Sequence, residues 1–306
     1  MQNVLIGNTV VSRVVMGCMR IADKPLKQTE ELIVEAVRAG VNMFDLADVY
    51  AGGDCERIFG VAVKDISLRR EEYVLQTKCG IRVNETGKWF DFSAAHIQNS
   101  VDNSLIRLNT DYIDVFLLHR PDTLMEAEEI ANAFQKLKAA GKVRAFGVSN
   151  MSAGQIRMLK NAGVEIVANQ MQFSLGHTLP VDAGFYVNMK ENEAVTRAGD
   201  ALEYCRENKI ALQAWSPFQY GFFEGVFIGN EKFPRLNREL ETLANKYQTT
   251  PSTIAVAWIL RHPAFKQVVS GTTNPARMRE VCAGADIQLT KEEWYNLYAS
   301  TGKILP

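Results

Sequence analysis

The amino-acid sequence predicts an α/β fold, a (β/α)8 TIM barrel with an N-terminal β-hairpin and extra C-terminal helices. Eight short apolar runs rich in Val, Ile and Phe recur along the 306 residues, and stretches with helical periodicity separate them. No linker or low-complexity tract interrupts this alternation. Repeated strand–helix alternation is typical of parallel sheets, and barrels of about 250 residues or more fold as one unit. We therefore expect residues 1–306 to form a single barrel domain.

The eight runs are nearly continuous in hydrophobicity, which is typical of strands that are covered on both faces. In chain order they are "RVVMG", "VNMFD", "YVLQTK", "YIDVFLLH", "VRAFGVS", "VEIVANQ", "IALQAW" and "QVVSG". A doubly wound open sheet is the alternative fold. It is disfavoured because no G-x-G-x-x-G turn follows the first run.

The stretches between the runs have the spacing of amphipathic helices, with capping signals or glycines at their ends. Three apolar stripes show the pattern: Leu32, Ile33, Ala36 and Val37 before Gly40; Ile97, Val101, Leu105 and Leu108 after "DFS"; and Ile130, Ala133, Phe134, Leu137 and Ala140 before Gly141. We expect each stripe to pack against the sheet.

Three segments depart from the plain repeat. "NVLIGNTVV" has an Asn at a turn between β-rich flanks, which predicts a hairpin that closes the bottom of the barrel. An overlong stretch between the seventh and eighth strands predicts a Gly/Phe-rich loop and two helices, near Leu236–Tyr247 and Pro251–Arg261. After the last barrel helix, Thr290 and Glu293 form a capping box that begins a further helix.

Composition disfavours several classes of function. The net charge is −1, so no global field attracts nucleic acid or an anionic membrane. No apolar run reaches the roughly 18 residues that span a bilayer, and the N-terminus lacks the pattern of a signal peptide. Five scattered cysteines indicate reduced thiols in the cytoplasm, and no Cys/His cluster has metal-site spacing. We expect no nucleic-acid partner, no membrane, no metal, and a monomer or weak homo-oligomer.

Polar residues follow three consecutive predicted strands. Asp45 and Tyr50 follow the second strand, Lys78 ends the third and His119 ends the fourth. Because the carboxyl ends of barrel strands meet at one rim, we expect these side chains to lie together. Tyrosine titrates at about pH 10, and an adjacent ammonium would lower its pKa and make it a better proton donor. An aspartate would keep that lysine charged, and a histidine would hydrogen-bond a substrate oxygen.

Each of these residues also has a structural interpretation when taken alone. Asp45 would cap the following helix, and Tyr50 would be an ordinary loop aromatic. Lys78 would be a solvated strand end, and His119 a core histidine bonded to backbone. Their coincidence on three consecutive strand ends favours the catalytic interpretation. Asp48 has no evident partner in the sequence and is expected to cap a loop or helix.

Six longer segments occur in a specific order. They are "AGVNMFDLADVYAGGDCERIFGVAV", "LQTKCG", "DYIDVFLLHRPD", "GKVRAFGVSN", "ANQMQFSL" and "GTTNPARMRE". In this order they resemble the aldo/keto reductase family over nearly the whole chain. The motifs "HRPD" and "GVSN" make the sequence most similar to the bacterial group of predicted oxidoreductases within that family.

The resemblance implies reduction of an aldehyde or ketone by NAD(P)H, with the cofactor extended across the barrel mouth. By position, Tyr50 donates the proton to the carbonyl oxygen, and Lys78 lowers the pKa of that phenol. Asp45 pairs with Lys78, and His119 orients the carbonyl. Hydride comes from the nicotinamide C4.

The resemblance also places cofactor contacts along the rim. Ser149, Asn150 and Gln170 match positions that bind the nicotinamide carboxamide, and Trp215 matches an aromatic that stacks on the nicotinamide ring. The full set of expected cofactor contacts is Gly17, Met19, Arg20, Ser149, Asn150, Gln170, Trp215, Ser216, Phe218, Gly221, Gly271, Thr272, Thr273, Arg277 and Glu280.

At the adenosine end of the cofactor site, this sequence differs from better-known members of the aldo/keto reductase family. Gly271 stands where many of them have a lysine beside the 2′-phosphate. Arg277 remains, and its guanidinium would pair with that phosphate in a bidentate manner. NADP(H) is therefore the expected cofactor, and NAD(H) is less favoured.

The substrate pocket is expected from Trp89, Arg120 and Phe222, because aromatic walls suit many small aldehydes and ketones. Arg20 and Arg120 hint at an anionic group, although Arg120 has the alternative of pairing with a nearby aspartate. Two other functions stay open. One is a cofactor-binding regulatory subunit with little turnover, and the other is a different barrel chemistry, such as a Schiff-base lyase at Lys78.

Overall fold

The chain alternates strands and helices from its first barrel strand to its last. The computed structural model describes residues 1–85, 87–195, 197 and 199–305. The described strands are β1 Asn3–Ile6, β2 Thr9–Ser12, β3 Val14–Gly17, β4 Met43–Asp45, β5 Val74–Cys79, β6 Ile81–Asn84, β7 Gly87–Phe90, β8 Ile113–Leu118, β9 Val143–Ser149, β10 Ile166–Gln172, β11 Ala211–Trp215, β12 Gln219–Tyr220, β13 Gly225–Val226 and β14 Phe265–Ser270. The described α-helices are α1 Leu26–Arg38, α2 Asp54–Asp65, α3 Ala94–Leu108, α4 Ala127–Ala139, α5 Ala153–Asn161, α6 Leu179–Phe185, α7 Ala201–Glu207, α8 Pro234–Lys246, α9 Pro251–Arg261, α10 Pro275–Ala283 and α11 Lys291–Ser300.

Eight strands form a closed barrel in the order β3, β4, β5, β8, β9, β10, β11 and β14. All neighbouring pairs in it are parallel. Every residue of β5, β8 and β10 is buried, as expected for strands that contact both the barrel interior and the surrounding helices. Each predicted apolar run supplies one barrel strand, so the (β/α)8 prediction is confirmed and the doubly wound alternative is wrong.

The three apolar stripes lie on α1, α3 and α4, but two of their predicted members face solvent. Val37 is 38% exposed because the buried face of α1 follows Thr29, Ile33 and Ala36 instead. Ala140 is exposed because it follows the last residue of α4, just before Gly141 turns the chain.

The N-terminal hairpin closes the amino-terminal end of the barrel, as the sequence predicts. Strands β1 and β2 pair in antiparallel fashion, and the side chains of Ile6 and Val11 enter the barrel interior. There they contact residues at the starts of barrel strands, including Met43 and Val74. This end of the barrel is therefore sealed by apolar packing.

The long stretch between β11 and β14 contains the two predicted helices, α8 and α9, preceded by the short β12–β13 ladder. The capping box of Thr290 and Glu293 begins α11, also as predicted. The β6–β7 hairpin that follows β5 was not predicted, because most of its residues are exposed and lack an apolar pattern. Among the described helices, none has the length and apolar character needed to cross a membrane.

Replacing Ile6 by Ala tests whether the hairpin stabilises the barrel. The Ile6 side chain is only 1% exposed, and losing such a buried side chain lowers the free energy of unfolding by about 2–5 kcal/mol. Leu5→Ala is the matched control, because Leu5, the neighbour of Ile6 on β1, is 62% exposed and surface changes stay within about 0.5 kcal/mol. Denaturant unfolding measures both variants. Equal losses in the two would contradict a sealing role for the hairpin.

Candidate active site

Three adjacent strands carry the four predicted catalytic residues to one rim of the barrel. Asp45 ends β4, Lys78 lies one residue before the end of β5, and His119 directly follows β8. In the barrel, β4 pairs with β5 and β5 pairs with β8. Tyr50 begins a short 3-10 turn in the loop after β4. The structure thus brings all four residues to the carboxyl ends of neighbouring strands.

The loop that carries Tyr50 turns sharply before α2. Ala51, Gly52 and Gly53 have φ angles of 48°, 64° and 98°. This left-handed region is open to glycine at little cost and strained for other residues. The two glycines therefore let the chain present Tyr50 and enter α2 immediately afterwards.

The ammonium group of Lys78 is fully buried and is the centre of the site. Its Nζ lies 2.8 Å from Asp45 Oδ2, 2.5 Å from the backbone oxygen of Leu46 and 3.3 Å from the hydroxyl of Tyr50. A lysine ammonium has three N–H donors, and the structure supplies three acceptors. Lys78 is therefore fully satisfied without water.

The ion pair decides the charge of Lys78. Burial lowers the pKa of the amine, but attraction to Asp45 and to Tyr50 outweighs burial, so the pKa lies above its ordinary value. Lys78 consequently stays charged at neutral pH. Without Asp45 the burial effect would act largely alone and favour the neutral amine.

The electrostatics of Tyr50 differ from the expectation drawn from the sequence. Burial raises the pKa of the phenol, and the neighbouring Lys78 lowers it only in part, while Asp45 raises it further. The net shift is upward, so the phenol is not unusually acidic in the free protein. Desolvation of a phenolate outweighs one nearby ammonium that is already paired. Tyr50 therefore holds its proton at neutral pH.

His119 is neutral in this environment. Burial is the largest influence that holds its pKa well below the usual range, and the positive charges of Lys78, Arg120 and Lys88 add to the effect. Its ring lies edge-on to Tyr50, with a centroid separation of 5.6 Å. Its Nδ1 is buried and has no hydrogen-bond partner within the described part of the chain. A neutral imidazole can donate one hydrogen bond and accept another.

A layer of glutamines beneath the rim fixes the position of Asp45, and the sequence analysis missed most of it. Gln76 and Gln170 each donate from Nε2 to Asp45 Oδ1, at 2.5 Å and 3.1 Å. Gln213 links these two amides to Gln267 across the barrel. The signal was present in the sequence, because Gln76 lies two residues before Lys78 and so faces the same side of its strand.

Asp48 lies behind the site and faces neighbouring helices. Burial, followed by repulsion from Glu56, raises the pKa of Asp48 to about 7, although a hydrogen bond with Ser100 opposes the shift. Glu56 itself is fully buried, where it accepts a hydrogen bond from Thr77 and pairs with Arg107 at 2.6 Å. This carboxylate pair joins α2 and α3 to the outer face of β5.

The residues expected to bind a nicotinamide amide meet at the ends of β9, β10 and β11. Asn150 connects them, since its Nδ2 donates to Ser149 Oγ at 2.7 Å and its Oδ1 accepts from Trp215 Nε1 at 3.1 Å. Gln170 uses its amide protons on Asp45 and Gln213. Its Oε1 accepts no hydrogen bond from the residues described, which leaves an acceptor free beside the catalytic residues.

The segment after β11 carries three further residues that are expected to contact the cofactor. Ser216 and Gly221 have positive φ angles of 52° and 57°, and Phe218 packs partly against the core. The backbone oxygen of Gly221 accepts a hydrogen bond of 2.6 Å from Gln172 Nε2. These contacts hold the start of the long loop against β10.

The ends of β3 and β14 bring a second group of expected contacts together. Gly17 ends β3, where a side chain would come within 3.1 Å of Val269, and exposed Met19 and Arg20 follow. Arg20 Nη2 donates to the backbone oxygen of Gly271 at 2.6 Å. The expected contacts Thr272 and Thr273 lie in the adjoining loop before α10, half-buried.

Arg277 and Glu280 lie on α10 and differ in their surroundings. The Arg277 side chain is exposed, and it makes no hydrogen bond or ion pair with any residue of the described ranges. Glu280 accepts a hydrogen bond from Thr250 at 3.4 Å, and its backbone oxygen accepts one from Thr253 at 2.9 Å. Glu280 therefore joins α10 to α9 in addition to any contact with a cofactor.

The three expected substrate residues make different contacts in the structure. Arg120 lies over the rings of Trp215 and Phe222, at 5.2 Å and 5.6 Å from their centroids. Trp89, on the β6–β7 hairpin, contacts Arg82 instead, at 5.5 Å from the ring centroid. Arg120 thus contacts Phe222, whereas the contact described for Trp89 lies within its own exposed hairpin.

Comparison with known proteins places the chain in a family of reductases. Residues 13–300 match the aldo/keto reductase family. The chain is 33% identical to the 6-dehydroglucose reductase of Agrobacterium fabrum (strain C58), covering 94% of this chain and 93% of that protein. It is 30% identical to the NADH-specific methylglyoxal reductase of Escherichia coli (strain K12), covering 95% of each.

The fold comparison agrees with the sequence comparison. The crystal structure of the thermostable aldo-keto reductase Tm1743 with the inhibitor epalrestat matches with a TM-score of 0.75 at 26% identity, over 98% of this chain and 100% of that chain. The family match and the reductase relatives support carbonyl reduction as the activity. On the match of residues 13–300 and the shared barrel, the chain belongs to the aldo/keto reductase family.

Proposed function

We propose that this protein reduces small aldehydes or ketones to alcohols with NADPH, and that Tyr50 is the proton donor. The observation that carries the proposal is the buried contact series from Tyr50 to Lys78 to Asp45. The hydroxyl of Tyr50 lies 3.3 Å from Lys78 Nζ, which lies 2.8 Å from Asp45 Oδ2. One rim of the barrel thereby holds three groups with complementary roles. They are a weak acid, a charged group that stabilises the conjugate base of that acid, and a counter-ion for the charged group.

Proton transfer from Tyr50 completes the reduction. Its O–H bond breaks and a new O–H bond forms on the substrate oxygen, while the carbonyl carbon accepts hydride. When bound, the reduced nicotinamide supplies that hydride. The ammonium of Lys78 stabilises the phenolate left on Tyr50, because opposite charges attract strongly in a buried site. The neutral ring of His119 donates a hydrogen bond to the same substrate oxygen and orients it.

The raised pKa of Tyr50 is consistent with this role. An acid that holds its proton at neutral pH is ready to donate it when charge develops on the substrate oxygen. Lys78 then acts on the phenolate, which exists only after transfer begins. Its contribution is therefore greater in the transition state than in the ground state, as catalysis requires.

The rim residues fit a nicotinamide cofactor. Gln170 Oε1 is a free acceptor for a carboxamide N–H, and the adjacent Asn150 and Ser149 offer further polar groups. Trp215 offers a flat ring for stacking. We propose NADPH over NADH because Arg277 is exposed and unpaired among the described residues, and can bind a 2′-phosphate.

The Schiff-base alternative is disfavoured by the state of Lys78. A Schiff base requires a neutral amine with a free lone pair. Lys78 has a raised pKa and directs its N–H groups at Asp45, Leu46 and Tyr50. The complete set of acid, ammonium and carboxylate likewise favours turnover over a purely regulatory role.

We also propose a substrate class, an assembly state and a cellular compartment for the enzyme. The substrate is a small carbonyl compound, since the rim offers aromatic surfaces at Trp215 and Phe222 beside the polar cluster. Residues 1–306 act as one domain, as a monomer or weak homo-oligomer. The five buried cysteine thiols favour the reducing cytoplasm.

Tyr50→Phe removes only the hydroxyl and tests the proton donor. We expect kcat for aldehyde reduction to fall by about 10²–10⁴-fold, the usual contribution of a general acid, with NADPH affinity unchanged. NADPH absorbance follows turnover, and titration measures affinity. Tyr295→Phe on α11 is the control, since Tyr295 is exposed and its helix packs on α8 and α9. Full activity in Tyr50→Phe would refute the assignment.

Arg277→Ala tests the cofactor preference. Loss of a charge-assisted hydrogen bond of about 1.5–3 kcal/mol raises KM for NADPH by about 10-fold or more, while KM for NADH stays constant. Arg279→Ala is the matched control on the same helix, because Arg279 pairs with Glu35 instead. Equal KM values for both cofactors, unaffected by Arg277→Ala, would remove the proposed phosphate contact.

A further inference from the structure

The guanidinium of Arg120 is held beside the catalytic cluster by two aromatic rings. Arg120 directly follows His119, and its Cζ lies 5.2 Å from the ring centroid of Trp215 and 5.6 Å from that of Phe222. Stacking on aromatic faces suits the planar guanidinium and leaves its N–H edge groups free to bind. The side chain is half-buried, so its position is set by packing rather than by solvent alone.

These N–H groups have no hydrogen-bond partner among the residues that the structure describes. Within the described ranges, no carboxylate lies at salt-bridge distance from Arg120 and no acceptor receives a hydrogen bond from it. Asp122, the nearest acidic residue along the chain, accepts a hydrogen bond from the backbone N–H of Leu124 instead. The alternative of a structural aspartate pair for Arg120 is therefore not realised. A partly desolvated and unpaired cation is unfavourable unless a ligand completes it.

The charged side chains that act most strongly on His119, next to Arg120 in the chain, are positive. Lys78, Arg120 and Lys88 all act on His119 as positive neighbours. Asp45 compensates Lys78. The carboxylate of Asp91, next to the β6–β7 hairpin, is used by Arg82 at 3.1 Å. Among the described residues, no carboxylate pairs with Arg120 or Lys88 near the site, which favours an anionic ligand there.

We propose that Arg120 binds an anionic group of the substrate, a carboxylate or a phosphate, while the carbonyl of the same molecule lies at Tyr50 and His119. The planar edge of a guanidinium matches two oxygens of either group. Because Arg120 and Tyr50 lie close enough to interact electrostatically, we expect the two substrate groups to be separated by only a few bonds. The substrate class is then compact oxo acids or phosphorylated aldehydes. This inference rests on the proposed reductase function.

Matched pairs of substrates test the inference. The carboxylate pair is 4-oxobutanoate and butanal, and the phosphate pair is glyceraldehyde 3-phosphate and glyceraldehyde. The wild-type protein is expected to favour the charged member of at least one pair by about 10- to 100-fold in kcat/KM, mainly through KM, as for a charge-assisted hydrogen bond. The pair that shows the preference identifies the anionic group.

The variants Arg120→Gln, Arg120→Lys and Arg238→Gln attribute the preference to one residue. Arg120→Gln is expected to abolish the charged-over-neutral ratio, and Arg120→Lys to retain part of it, because charge persists without the planar fork. Arg238→Gln is the control, because it removes an exposed arginine of α8 and should leave the ratio at its wild-type value. Added salt should lower the ratio in the wild type and not in Arg120→Gln.

Three outcomes would overturn the inference. A wild-type ratio near one in both pairs would exclude an anion preference. A ratio that survives in Arg120→Gln would assign the preference to another group. A raised KM for NADPH in Arg120→Gln, with equal losses on all four compounds, would assign the guanidinium to the cofactor. These results leave reduction itself intact, whereas failure of the wild type to reduce any of the four compounds would refute the proposed function as well.

Discussion

The buried ion pair between Lys78 and Asp45 is the interaction on which the rest of the site depends. An ammonium without exposure to water is unfavourable by several kcal/mol unless a counter-charge and hydrogen bonds compensate. The barrel supplies both, because the ends of β4 and β5 lie side by side. With the pair intact, a fixed positive charge lies next to Tyr50. Without it, Lys78 would lose its proton and could not stabilise a phenolate.

The two ends of the barrel interior have different compositions, and this difference separates chemistry from stability. At the carboxyl end, Gln76 and Gln170 hold Asp45 in place, so its carboxylate cannot rotate away from Lys78. At the opposite end, Ile6 and Val11 of the hairpin fill the interior with apolar packing. Polar groups are therefore concentrated at the carboxyl end of the barrel, where the catalytic residues lie. The apolar amino-terminal end supplies favourable burial that offsets the desolvation of these polar groups.

Much of the fold and the location of the site could be predicted, because the signals are local. A continuous apolar run indicates a strand, and a polar residue at its end, such as Lys78, indicates the rim. The pKa of Tyr50 could not be predicted, since its sign depends on burial competing with Lys78. The partners of Gln213 depend on strand register around the closed barrel. The contact of Arg120 with the rings of Trp215 and Phe222 could not be predicted either. It depends on the path of the long loop after β11, which no periodic pattern specifies.

The most direct test of this account is the titration of Lys78, followed by NMR in protein labelled at the lysine side chains. We expect Lys78 of the wild type to stay charged beyond the ordinary lysine pKa, which is about 10.4. In Asp45→Asn, which keeps the shape of the side chain, burial should lower that pKa below the ordinary value. A wild-type Lys78 that loses its proton near neutral pH, or an unchanged pKa in Asp45→Asn, would contradict the account.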